Sequence, residues 1–284
     1  MQHDFNQEAL ELHKKYHGKI ETVSKVKLET REDLSRAYTP GVAEVCREIA
    51  KDPSLAREYT LKRNTVAIIS DGSAILGLGN LGPLSAIPVM EGKAAILKSF
   101  AGVDAFPICL DTQDTEEIIK VVKQIAPVFG AVNLEDISAP RCFEIEERLR
   151  KELPIPVMHD DQWGTATVVL AGLMNALKVT DREDNKSIKI VVNGVGSAGV
   201  AISRLLLSSG FTAITFCDSK GIIHEGRDDL TKEKKELITT STATPREGVL
   251  ADAVIGVDVF VGVSKAGALT RYQRLCLMLQ SLPV

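Results

Sequence analysis

Short β-branched runs, each followed by a stretch of helical periodicity, recur along this chain and restrict its fold more than any other feature. TVAIIS (65–70), AFPICL (105–110), AVNLE (131–135), IPVMHD (155–160), IKIVVN (188–193) and AITFCD (213–218) read as strands. Between them, DTEEIIKVVKQIAPVF (114–129), which opens on an acidic turn, and APRCFEIEERLRKEL (139–153) read as amphipathic helices. Strand, helix and strand in repetition give a parallel sheet covered on both faces, so the expected class is α/β. A chain of 284 residues is long for a single core. Two domains are expected, 1–163 and 164–284, divided where HDDQWGTA gives way to a long apolar helix.

The run IKIVVN breaks into Gly194, Gly196 and Gly199 before the helix-like VAISRLLLSSG, and the next strand ends in Asp218. In such a βαβ unit a pyrophosphate lies against backbone N–H groups at the helix N-terminus, which places Ser197 and Ala198 in the same turn as the glycines. Asp218 stands where an acid accepts hydrogen bonds from the adenosine ribose and repels a 2′-phosphate, which favours NAD over NADP. A glycine-rich turn that serves only helix–strand packing has the same spacing, and the motif names no reaction.

Two acidic pairs end predicted strands, Glu135-Asp136 and Asp160-Asp161. Carboxyl ends of parallel strands are where α/β proteins bind ligands, and carboxylates gathered there repel unless a cation joins them. An all-oxygen donor set selects a hard divalent ion, Mg²⁺ or Mn²⁺. Each pair also reads as a helix cap. Lys93 begins an apolar helical run in EGKAAILKSF, where partial desolvation suits a general base, although a snorkelling surface lysine fits the same pattern. Tyr38, in SRAYTPGVAEV, reads equally as a packing residue with a wet hydroxyl.

A net charge of −4 with no cluster of Lys and Arg argues against a nucleic-acid partner. The polar amino terminus lacks the apolar core of a signal peptide, and VVLAGLMNALKV (168–179) is too short to span a bilayer, so a cytoplasmic protein without membrane contact is expected. Cys46, Cys109, Cys142, Cys217 and Cys276 are odd in number and widely spaced, the pattern of reduced, buried thiols.

Taken in order, SRAYTPGVAEVCREIA, SDGSAILGLGNLGPLSAIPVMEGKAAILKSFAGVDAFPICLDT, NLEDISAPRCFEIEERLR, HDDQWGTATVVLAGLMNALK and VSKAGALT resemble the malic enzymes, nearest to their short bacterial NAD-using branch. The resemblance implies an N-terminal substrate and metal-binding domain followed by a Rossmann-like doubly wound NAD-binding domain. It puts the catalytic acid on Tyr38, the base on Lys93, the aspartate beside that lysine on Asp160, and the metal ligands on Glu135, Asp136 and Asp161. The implied reaction is NAD-dependent oxidative decarboxylation of malate to pyruvate, with malate, oxaloacetate and pyruvate as small-molecule partners and a homodimer as the assembly. An oxaloacetate decarboxylase on the same scaffold, or an inactive NAD-binding remnant, fits the same residues.

Three positions depart from the family pattern. Trp163 stands where histidine is usual, beside a proposed metal ligand. Ala74 stands where the large eukaryotic members carry arginine. After VSKAGALT the chain reads RYQRLCLMLQSLPV, with no turn or strand pattern, which suggests a truncated or out-of-frame ending and exposed apolar surface around an incomplete second domain.

Overall fold

The chain divides into two units, Met1–Met158 and His159–Val284, ahead of the expected division at 163/164. The computed structural model describes residues 4–182, 184–265 and 267–269, and the segment RYQRLCLMLQSLPV with Cys276 lies outside them.

The first unit runs α1 (Phe5–Tyr16), α2 (Arg31–Ala37), α3 (Val42–Lys51), α4 (Ala56–Tyr59), β1 (Thr65–Ser70), α5 (Pro83–Ala101), β2 (Asp104–Cys109), α6 (Thr115–Ile125), β3 (Ala131–Leu134), α7 (Arg141–Glu152) and β4 (Val157–His159). Its sheet has the order β2-β1-β3-β4, with β1 parallel to both β2 and β3. The period of two along β1 explains the two layers of helices. Ala67 and Ile69 face a core built with Ile118 and Val122 of α6 and Ile145 and Leu149 of α7, while Ile68 faces Ala86, Met90 and Ala94 of α5. Asp114 starts α6 by accepting the Glu117 N–H at 2.9 Å. Because the chain goes from β1 out to β2 and then returns past β1 to β3, the strand order reverses between β1 and β3. The carboxyl ends of those two strands therefore flank the crevice where such sheets bind ligands.

The second unit contains α8 (Asp160–Val179), β5 (Ile190–Asn193), α9 (Ser197–Ser208), β6 (Ile214–Asp218), β7 (Gly221–Ile222), α10 (Lys232–Thr240), α11 (Leu250–Ala253) and β8 (Val259–Gly262). Its order is β7-β6-β5-β8, with β5 parallel to β6 and β8, and β7 antiparallel to β6. α8 packs along α9, and Val191 and Cys217 meet Ala253 and Val254 beneath the other face. The strand order again reverses beside β5, which is where the glycine turn leaves the sheet. The repeated strand–helix pattern thus resolves into two parallel-cored sheets, the second with an antiparallel edge at β7. Among the described residues no helix is long and apolar enough to cross a membrane.

Candidate functional site

At the carboxyl end of β3 the chain places Glu135 and Asp136, 5% and 4% exposed. Neither caps the following helix: the N-cap of α7 is Pro140, and no side chain caps it. That removes the structural alternative for this pair, and leaves two adjacent buried carboxylates that need cationic compensation. Part of it comes from Lys93 of α5, whose Nζ lies 3.3 Å from Glu135 Oε1. On the other side Asn133 of β3 donates its amide to Glu135 Oε2 at 2.7 Å. Lys93 thus does not snorkel to solvent but faces a carboxylate, with its side chain 23% exposed.

Asp136 has φ 53°, the left-handed region that a short polar side chain tolerates. The turn is tied to the loop after β1, since the Ala74 N–H donates to the Asp136 carbonyl at 3.0 Å. Behind it lies a polar knot that the sequence reading did not single out. Asp71, fully buried, accepts from the Ser73 hydroxyl at 2.6 Å and the Ser73 N–H at 3.0 Å, and its other oxygen lies 2.9 Å from Arg141 Nη1. One signal for Arg141 was present. A cation in the first turn of a helix opposes the helix dipole, so an arginine there needs a specific partner.

Asp160 and Asp161 open α8, in the second unit. The N-cap is His159, with no side-chain cap bond, so this pair is not a cap either. His159 is fully buried; its Nδ1 lies 3.1 Å from the Gln162 amide nitrogen and its Nε2 3.4 Å from Asp161 Oδ2. Asp160 Oδ1 packs against Gly164, where a Cβ would stand 2.5 Å from it and the carboxylate would have to turn aside. The indole nitrogen of Trp163 is buried, with no hydrogen-bond partner among the described residues. Among those residues no three His, Cys, Asp or Glu side chains form a ready metal-binding group. Glu135 and Asp136 belong to the first unit and Asp161 to the second.

The glycine turn has a structural reason at each end and open space in the middle. Gly194 has φ 108°, and a Cβ on Gly199 would stand 1.8 Å from the Gly194 carbonyl oxygen. Gly196, by contrast, has nothing within 4 Å of its Cβ position. It is the N-cap of the 12-residue helix α9, which no side chain caps, and Ser197 and Ala198 form the first turn. Open space over uncapped N–H groups at a helix N-terminus is what a pyrophosphate requires.

Asp218 ends β6 as expected, but its carboxylate is already engaged. Arg227 donates to both of its oxygens at 2.9 Å, Lys234 to Oδ2 at 2.6 Å and the Lys220 N–H to Oδ1 at 2.9 Å. Burial works to raise its pKa, yet the bonds from Arg227 and Lys234 outweigh it and hold the carboxyl at about 2, below its ordinary 3.8. The two cations offset the charge that was expected to repel a 2′-phosphate. A carboxyl whose pKa is depressed on folding stabilises the fold above its unfolded pKa and loses that contribution as pH falls toward the folded value. The contribution here is on the order of 2 kcal/mol. Wild type should therefore melt above Asp218→Asn at about pH 5, and the gap between their Tm values should close as pH falls from 3.8 toward 2. A gap unchanged through that window would contradict the pairing.

Tyr38, at the end of α2, is 66% exposed. Of the described cysteines, Cys142 and Cys217 are buried, Cys109 partly buried and Cys46 exposed, and none of them is in a disulfide, so the expectation of burial fails at Cys46. Burial pushes the Cys217 thiol up to about 12.

The malic enzyme N-terminal domain pattern matches residues 17–117 and 112–150, and the malic enzyme NAD-binding domain pattern matches 163–281. The chain is 58% identical over 252 residues to the NAD-dependent malic enzyme of Geobacillus stearothermophilus, covering 89% of this chain and 52% of that protein. It is 54% identical over 266 residues to the bifunctional malic/malolactic enzyme of Bacillus subtilis, covering 93% and 65%. The crystal structure of the NAD-dependent malic enzyme from Thermotoga maritima matches with a TM-score of 0.91 at 47% identity, covering 95% of this chain and 72% of that one. The chain thus spans between half and two thirds of the length of the two curated relatives.

Proposed function

Because this chain belongs to the malic enzyme family, with the family's N-terminal domain followed by its NAD-binding domain, we propose that it catalyses metal-dependent oxidative decarboxylation of (S)-malate to pyruvate and CO₂ with reduction of NAD. The observation that carries the reading is the buried, uncapped Glu135-Asp136 pair with Lys93 Nζ 3.3 Å from Glu135. Two adjacent carboxylate groups are hard oxygen donors and fit a divalent cation, with Asp161 as the third ligand. Mg²⁺ or Mn²⁺ held there would supply Lewis-acid chemistry, and NAD would supply the hydride acceptor.

The protein's own groups do the rest. Lys93 takes the proton of the C2 hydroxyl as hydride leaves C2, and Asp160 is the further catalytic carboxylate of this reading. Once C4 departs as CO₂, Tyr38 returns a proton to C3 of the enol, and pyruvate forms. Gly194, Gly196, Ser197, Ala198 and Gly199 cradle the pyrophosphate at the start of α9, and Asp218 faces the adenosine ribose. Tyr38 is exposed, as are Phe5 and Tyr16 of α1, Val23 in the segment that follows it and Leu34 of α2, and exposed apolar side chains of this kind support a homodimer. We place that dimer in the cytoplasm.

Purified chain given malate, NAD and Mn²⁺ should form NADH, and omitting the metal should abolish it. Turnover of oxaloacetate without NAD, and none of malate with it, would assign the decarboxylase alternative instead. Binding of NAD and Mn²⁺ without any turnover would mark an inactive remnant. Sedimentation should give twice the mass of the chain; the single-chain mass would contradict the dimer.

A further inference from the structure

The polar knot behind the Glu135-Asp136 turn centres on Ser73. The Ser73 hydroxyl donates to Asp71 at 2.6 Å and accepts from the Ser138 N–H at 2.9 Å and from Arg141 Nη2 at 3.0 Å. A hydroxyl has one proton to give and two lone pairs, so all of its capacity is used. Arg141 spreads its fork over three loops. Nη1 meets Asp71 at 2.9 Å and the Gln113 carbonyl at 2.6 Å, and Nη2 also meets the Ser138 hydroxyl at 3.1 Å. Those loops follow β1, β2 and β3, and they surround the point where the strand order reverses. The residue next to Ser73 supplies the N–H that holds the Asp136 carbonyl. The left-handed conformation that Asp136 tolerates is thus held by the knot from both sides of the turn.

We propose that Asp71, Ser73 and Arg141 are positioning residues that hold the Glu135-Asp136 turn in the geometry that takes a divalent cation. The proposal rests on the assignment of Glu135 and Asp136 as metal ligands. They act through the backbone of residues 136–138, to which Ser73 and its neighbour Ala74 are hydrogen-bonded. A lysine at position 141 keeps the charge opposite Asp71 but has no second nitrogen for Ser73 and Ser138. The ion pair and the positioning fork are therefore separable.

The test is direct titration of the full chain with Mn²⁺, read by the electron paramagnetic resonance of free and bound ion, alongside thermal melts without metal. Wild type should bind. Arg141→Lys should keep most of the metal-free Tm yet bind Mn²⁺ roughly 10- to 100-fold more weakly, the range seen when groups that orient metal ligands are removed. Ser73→Ala, a milder change that keeps the Asp71–Arg141 pair, should also weaken binding, by several-fold, and should raise the KM for Mn²⁺ in any turnover assay. Wild-type Mn²⁺ affinity in both variants, whatever their melting temperatures, would overturn the proposal alone. Absence of Mn²⁺ binding by wild type would overturn the ligand assignment beneath it.

Discussion

Lys93→Met should lower kcat by roughly 10²- to 10⁴-fold, the usual worth of a positioned proton-transfer group, while NAD still binds. The geometry adds a second, less obvious effect. Lys93 is the cation beside Glu135, and both side chains are largely withdrawn from water. Removing one partner of such a pair strands the other, so the metal-free variant should melt below wild type. A divalent cation would supply the missing charge, and any group that binds only the folded state raises its stability. Mn²⁺ should therefore raise the Tm of Lys93→Met by more than it raises that of wild type. A surface lysine without a role would give normal kcat and no such difference.

Gly199→Ala should be the most damaging single change in the second unit. Its Cβ would lie 1.8 Å from the Gly194 carbonyl oxygen, a backbone atom that cannot swing aside. Helix α9 must then move off β5 by well over an ångström, and overpacking of this kind costs about 1–3 kcal/mol in stability. The same shift misaims the N–H groups at the start of α9. Loss of two charge-assisted bonds at about 1.5 kcal/mol each weakens NAD binding by roughly 100-fold. Gly196→Ala is the matched control. Its Cβ meets no protein atom within 4 Å, so the Tm should stay near wild type. NADH fluorescence titration should nevertheless show weaker binding, because the methyl occupies the space left for the pyrophosphate. Equal melting temperatures for the two variants would contradict this division of the glycines into packing and ligand-facing roles.

Much of the fold could be read from the sequence because β-branched runs and helical periodicity are local signals. TVAIIS is β1 to the residue, and Asp114 caps α6 at the start of the amphipathic run that predicted it. The break before the long apolar helix separated those runs into two groups, but the strand order within each sheet was not legible, since pairing partners are set by long-range topology. β7, a two-residue antiparallel edge, carries too few residues to show any period. At the site, the glycine turn and the acidic pairs were visible as residue types at strand ends. What stayed hidden was how the residues are paired. Lys93 against Glu135, Arg227 and Lys234 against Asp218, and the Asp71–Ser73–Arg141 knot join positions far apart or otherwise unremarkable in sequence. The sequence showed Asp218 at the end of its strand but not the two cations, Arg227 and Lys234, that pair with its carboxylate.

The most direct measurement is the fate of C4 in malate. Purified chain supplied with NAD, Mn²⁺ and malate labelled at C4 should release labelled CO₂ in step with NADH, and should release none when either the metal or Lys93 is removed. NADH formed while the label stays in a dicarboxylic acid, or no turnover at all, would contradict the oxidative decarboxylation assigned to Lys93 and the Glu135-Asp136 pair.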